Sequence, residues 1–104
     1  MTIVTGLVTI RAVNRFADRD AQRLLDGQSV RRIPPDVQRR ARMRLQRVLA
    51  AAALSDLRQP PSHRLEALRG DRKGQHSIRI NDQWRVCFVW TDGGAMRIEI
   101  ADYH

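Results

Sequence analysis

At 104 residues the chain has material for one domain and no room for a second core. Apolar side chains make up 42% of it, more than a disordered segment carries, and no apolar run approaches the roughly 18–20 residues of a membrane helix. Nineteen basic residues, all arginine except Lys73, face eleven acidic ones for a net charge of +8. That balance favours a polyanionic partner, because arginine grips phosphate through paired hydrogen bonds and each contact releases counterions. A solvated surface in a chain with arginine-biased codon usage is the plainer account.

The opening MTIVTGLVTI has neither a basic leader nor a small-residue cleavage site, so it reads as a strand or loose tail and not a signal peptide. The single cysteine, Cys87, excludes an internal disulfide framework and fits a reducing cytoplasm. Thr9 to Val13 suits an edge strand. Asp18 to Asp26 reads as a short helix with Ala21, Leu24 and Leu25 on its apolar side and Gly27 as its stop. Pro34-Pro35-Asp36 opens a longer helix, with a preset proline angle and a carboxylate near the positive end of the dipole. Val37, Ala41, Leu45, Val48, Leu49 and Ala52 form its inner face, and Ser55-Asp56 and Pro60-Pro61 close it. Its other side is crowded with arginines, Arg39, Arg40 and Arg44 among them, which is either a solvated face or a surface that meets RNA or an acidic protein.

The second half changes character. Arg64 to Leu68 suits a strand, and His76 to Ile80, Trp84 to Trp90 and Arg97 to Ala101 are rich in β-branched and aromatic residues. Asn81-Asp82 and Asp92-Gly93-Gly94 separate the last three as hairpin turns would. The expected fold is α+β, a small antiparallel sheet of four to five strands with two N-terminal helices packed on one face. Trp84, Phe88 and Trp90 share a strand face and are expected in the core. Cys87 is expected as a small buried residue and not a nucleophile.

Most chemical signatures are missing. No GxxxxGKS/T, GxGxxG, HExxH or CxxC occurs, and His63, His76 and His104 follow no metal-ligand spacing, so no metal site and no cofactor are expected. Three ordered stretches carry the functional signal instead: RLEALRGDRKG from Arg64 to Gly74, SIRINDQWRVCF from Ser77 to Phe88, and EIADYH from Glu99 to His104. Together they resemble the HigB branch of the RelE/ParE toxins, with its LxGD-x-x-G, SIRxxxxWRI and terminal DYH patterns; the arginine-rich helix extends the likeness more weakly. The resemblance implies a RelE-like fold over residues 1–104, starting near Val8 and leaving Met1 to Leu7 a dispensable extension. It also implies the toxin of a type II toxin–antitoxin pair, an endoribonuclease that cleaves mRNA on the translating ribosome. Its partners would be the ribosome, mRNA and a HigA-like helix-turn-helix antitoxin, with operator DNA reached only through the antitoxin and no membrane involved.

Metal-free RNA cleavage by the substrate's own 2′-hydroxyl requires help in removing the 2′ proton, in stabilising the phosphate and in protonating the departing 5′ oxygen. By resemblance His104 is the general acid, Arg85 stabilises the transition state and Arg69 clamps phosphate, since arginine is too hard to deprotonate for a base. Glu66 stands where many HigB-type chains carry histidine; it is either a general base or a solvent-facing strand residue. Tyr103 is placed to stack on a base or position the phosphate, and Asp102 to orient His104. Arg72 and Lys73 would hold the RNA backbone, with Arg39, Arg40 and Arg44 on the ribosome. Arg85 could instead serve in a cross-strand ion pair with Glu99 or another sheet carboxylate. Alternation places Glu66 and Arg69 on opposite faces and gives His104 the parity of the apolar Ile98 and Ile100, so a shared site requires both strands to end or bend, at Arg69-Gly70 and near Asp102. Two rival functions remain: a ParE-like toxin that blocks DNA gyrase without cutting, and a non-catalytic RNA- or ribosome-binding module.

Overall fold

The computed structural model describes residues 15–103. The edge strand expected at Thr9 to Val13, the Met1 to Leu7 extension expected to be dispensable, and His104 lie outside them. Among the described residues the order is α1 (Arg19–Leu25), α2 (Pro35–Ala50), β1 (Glu66–Ala67), β2 (His76–Arg79), β3 (Trp84–Thr91) and β4 (Gly94–Asp102), with 3-10 turns at Leu54–Arg58, Pro61–His63 and Gly70–Arg72. The strands form one antiparallel sheet in the order β1-β2-β3-β4. This is the expected α+β fold.

Both helices cover one face of the sheet. Val37, Ala41, Leu45 and Val48 of α2 and Ala21 and Leu24 of α1 are buried, and they share a core with Ile78, Trp84, Val86, Phe88, Ile98 and Ile100. Each large side chain withdrawn from water there contributes about 1.5–3 kcal/mol. Trp84 and Phe88 are in the core as expected, whereas Trp90 packs on its margin, half-buried.

Asp18 fastens this layer to the sheet. Its carboxylate caps α1 at Asp20 N and also accepts from Ile100 N on β4 at 3.0 Å. Arg32 binds the same carboxylate and that of Asp20, both at 2.6 Å, and lies over the Trp84 ring.

Three boundaries differ from expectation. α2 stops at Ala50 and not near Ser55, because the Asp56 carboxylate accepts from Ala52 N and Ala53 N and so offers the backbone an alternative to another helical turn. β1 is only Glu66–Ala67, since Arg64 takes the left-handed conformation (φ 47°) on leaving the Pro61–His63 turn. β4 begins three residues earlier than expected, at Gly94, whose φ of 104° closes the hairpin. A bulge follows in β4: the register slips between Cys87 and Val89, with Arg97 at φ 51°. At the bulge Ile98 exchanges hydrogen bonds with Arg15 and Ala17, so the segment around Phe16 covers that edge as a parallel bridge.

Candidate active site

The face of the sheet turned away from the helices carries the polar residues. Register places Glu66, Ser77, Cys87 and Glu99 in one row across all four strands, and Arg79, Arg85 and Ala101 in the next. Ser77 and Cys87 are fully buried even on this side, under longer side chains.

Arg85 is the most constrained of these. Its Nε donates to Ser77 Oγ at 2.7 Å, and its Nη2 donates to the Arg64 carbonyl at 2.8 Å and lies 3.4 Å from Glu66 Oε1. The left-handed turn at Arg64 therefore serves the site, because it brings a backbone acceptor over β2 to the guanidinium of β3. The Arg85 side chain is 14% exposed, that of Glu66 53%. A fixed cation thus stands beside a carboxylate open to solvent.

A second pair closes the far side of the row. The Gly70–Arg72 turn, entered through Gly70 at φ 62°, throws Arg72 back across the face, where Nη1 meets Glu99 Oε1 at 2.7 Å. That hydrogen bond raises the Arg72 pKa further above its already high value. Between the pairs, the Cys87 thiol meets the Tyr103 hydroxyl at 4.0 Å. Burial pushes both pKa values up, so thiol and phenol are neutral at physiological pH. Cys87 is accordingly a covered filler of the sheet and not a thiolate.

A family described as the RelE-like toxin HigB of type II toxin–antitoxin systems matches residues 14–104. The chain belongs to the HigB-like toxins. Toxin HigB-1 of Vibrio cholerae serotype O1 is 44% identical over 71 residues, which are 68% of this chain and 75% of that one. Endoribonuclease HigB of Proteus vulgaris is 34% identical over 61 residues, 59% of this chain and 65% of that one. Membership of a type II toxin family implies an antitoxin partner.

Of the residues that the resemblance singled out in this HigB-like chain, the structure brings Glu66 and Arg85 into contact and sets Arg72 and Tyr103 on the same face. β1 ends at Ala67 and β4 at Asp102, so neither strand runs on through Arg69 or Tyr103. Asp102 is exposed and accepts from Gln83 Nε2 at 3.2 Å, and the Tyr103 backbone N–H donates to the Gln83 carbonyl. Arg69 and Lys73 are exposed at either end of the Gly70–Arg72 turn, with no side-chain hydrogen bond or ion pair to Glu66 or Arg85. Of the ion-pair alternatives for Arg85, the one with Glu99 does not occur, because Glu99 holds Arg72, but a pair with another sheet carboxylate does: Arg85 takes Glu66 on β1.

The helix arginines stand apart. α2 packs on the opposite face of the sheet, and Arg40 and Arg44 donate to the carbonyls of Ile80 and Arg79. Burial and the neighbouring Arg40 and Arg47 lower the Arg44 pKa. Arg39 is exposed.

Ser77, Glu99 and the Arg64 carbonyl complete the site without having been singled out for it. Alternation could have found Ser77, which shares a face with Arg85 in the antiparallel register. A backbone carbonyl has no signature in a sequence. Among the described residues no three His, Cys, Asp or Glu side chains group as a metal site requires, and no helix is long and apolar enough to cross a membrane.

Proposed function

We propose that this chain is an endoribonuclease that cleaves mRNA on the translating ribosome and so arrests protein synthesis until its antitoxin binds it. The observation that carries this reading is Arg85, held by Ser77 and Arg64 beside the solvent-open Glu66 carboxylate. A cation fixed in advance stabilises charge that develops on a phosphate without reorganising at the moment of reaction. The name of the Proteus vulgaris relative, an endoribonuclease, points the same way.

In the proposed reaction Glu66 accepts the 2′-hydroxyl proton as the 2′ oxygen attacks phosphorus. Arg85 stabilises the five-coordinate phosphate. The bond from phosphorus to the 5′ oxygen breaks, and His104 gives its proton to that oxygen. The products are a 2′,3′-cyclic phosphate and a free 5′-hydroxyl, so no water is consumed and no metal is needed. Asp102 orients His104, Tyr103 positions the flanking nucleotide, and Arg69, Arg72 and Lys73 hold the RNA backbone. Because Glu99 neutralises Arg72 in the free protein, a phosphate has to compete for that guanidinium. Arg39, Arg40 and Arg44 meet ribosomal RNA. The antitoxin carries a helix-turn-helix, through which the pair reaches operator DNA, and the toxin acts in the cytoplasm, where ribosomes are.

The test is single-turnover cleavage of one mRNA, naked and then in a 70S decoding complex, with both product ends mapped. Cleavage is expected in the complex, with little on naked RNA, because a flexible strand seldom aligns its 2′ oxygen with the leaving oxygen and the ribosome supplies that alignment. Glu66→Gln should lower the rate by roughly 10²–10⁴, the range of general acid–base help. His104→Ala and Arg85→Ala should each relieve growth inhibition. Equal rates in both settings would leave a general ribonuclease; growth arrest without RNA products, accompanied by gyrase inhibition, would favour the ParE-like alternative.

A further inference from the structure

Behind Glu66 lies a cleft of about 580 Å³ that the proposed reaction does not use. It is walled on one side by the Leu54–Arg58 turn and on the other by Leu65, Ala67 and His76. Register explains how it relates to the active face. Ala67 pairs with His76, and His76 with Phe88, so these residues turn to the side of the sheet opposite Glu66 and Arg85. β1 is the edge strand and only two residues long, and Glu66 also lines the cleft. Glu66, whose carboxylate meets Arg85 at 3.4 Å, thus also borders a cavity on the other side of one short strand.

The lining has the composition of a base-binding site. Leu54, Leu65 and Ala67 supply apolar wall for the faces of a flat ring. Arg58 and Ser55 supply polar groups on the turn side, and Arg58 is exposed with no ion pair or hydrogen bond among the described residues. His76 is stacked on Phe88, with centroids 6.3 Å apart and planes 23° apart, which fixes its ring. Its Nδ1 is buried and without a partner among the described residues.

Resting on the endoribonuclease reading, we propose that this cleft is a subsite for one nucleobase beside the scissile phosphate, and that it selects guanine. The phosphate on Arg85 and a base passed round the β1 edge belong to adjoining parts of one strand. Single-stranded RNA is read by splaying bases into such cavities. The arginine fork of Arg58 matches two adjacent acceptors on one base edge, as guanine presents with O6 and N7, whereas adenine places a donor there. Cytosine also offers adjacent acceptors, but its single ring covers less of the apolar wall.

The experiment is single-turnover cleavage on the ribosome of mRNAs identical except at the nucleotides flanking the scissile phosphate, each varied through G, A, C and U. Wild-type protein should favour G at one flank by about tenfold, the discrimination of one bidentate arginine contact. Arg58→Ala should reduce that preference to within about twofold while still cleaving the disfavoured RNAs at wild-type rates. Ala67→Phe, which fills the cleft from an exposed edge position, should do the same. Circular dichroism of both variants checks folding. A wild-type enzyme indifferent to both flanking bases, or a G preference that survives both substitutions, overturns the subsite and leaves the nuclease intact. Should wild-type protein cleave no RNA at all, the nuclease reading itself fails and the subsite with it. Loss of antitoxin binding in Arg58→Ala with base preference unchanged would assign the cleft to the protein partner, again overturning the proposal.

Discussion

Arg85 owes its place to three acceptors from two parts of the chain, Ser77 on β2 and the Arg64–Glu66 stretch that leads into β1, and only Glu66 among them is charged. Removing a neutral acceptor should therefore disturb orientation more than charge. Ser77→Ala is expected to lower kcat about tenfold with KM nearly unchanged, a loss the size of one hydrogen bond to a charged group. In an Arg85→Ala background the same change should cost nothing further. A double-mutant cycle with independent, additive losses would show that Ser77 does not act through Arg85. His63 offers a prediction of another kind. It is fully buried, and its Nδ1 lies 3.1 Å from the Leu57 carbonyl, an acceptor, which assigns the proton to Nδ1 and leaves Nε2 bare. Burial lowers its pKa, and Arg44 and Arg47 lower it further. The folded protein thus refuses a proton that the unfolded chain accepts below about pH 6.5, so stability is full above that pH and falls as pH drops through 6.5 towards the folded value. Urea unfolding at pH 7.5 and pH 5 should show this loss, and His63→Leu should shrink it; an unchanged pH dependence would move its origin elsewhere. Neither Ser77 nor His63 stood out in the sequence as these residues now do. A serine in a strand and a histidine just after two prolines acquire their roles from neighbours that the local sequence does not mark, Arg85 for the one and Leu57, Arg44 and Arg47 for the other.

At the scale of elements, local rules carried well where local forces decide. The four-residue and three-residue spacing from Val37 to Val48 placed the inner face of α2, and all four of its buried residues lie on it. Asn81-Asp82 marked the β2–β3 turn because the Asn81 side chain accepts from Gln83 N and Trp84 N, a contact within four residues. The end of α2 was set too late, although Asp56 carried its own signal as a residue that caps backbone donors. The bulge at Arg97 was not legible, since nothing in an arginine announces a positive φ. The anchoring of α1 to β4 was not legible either. Asp18 joins residues 82 apart in sequence through its contact with Ile100 N. Asp18→Ala removes the α1 cap, the acceptor for Ile100 and a partner of Arg32 together. It is expected to destabilise the protein by about 1–2 kcal/mol, the upper range for loss of a cap. Asp56→Ala, which frees only two exposed backbone donors, should cost less. Chemical denaturation of both variants decides the order, and equal midpoints would mean that the α1 cap is not what ties the helices to the sheet.

Over the whole molecule the sheet divides the surface in two. The candidate site occupies one face, and the arginine-rich α2 lies across the other. Arg40, Arg42, Arg44 and Arg47 each donate to a carbonyl of their own fold. A neutral acceptor takes a hydrogen bond but does not cancel the charge, so the field of the +8 chain persists around α2. Structural and electrostatic roles are therefore superimposed in these residues, and charge reversal at any of them confounds the two. Arg39 separates them, being exposed and without such a bond among the described residues. With ribosome binding read from a fluorescent Arg85→Ala protein, affinity should fall about tenfold or more between roughly 50 and 200 mM salt, as counterion release demands for several phosphate contacts. Arg39→Glu should weaken binding and flatten that salt dependence while leaving the unfolding midpoint unchanged. Arg44→Glu should do both and lower the midpoint as well, because Arg44 is half-buried against β2 and its replacement abandons the Arg79 carbonyl. If Arg39→Glu binds as wild type with the same salt slope, the arginines of α2 belong to the fold and the ribosome is met by the opposite face.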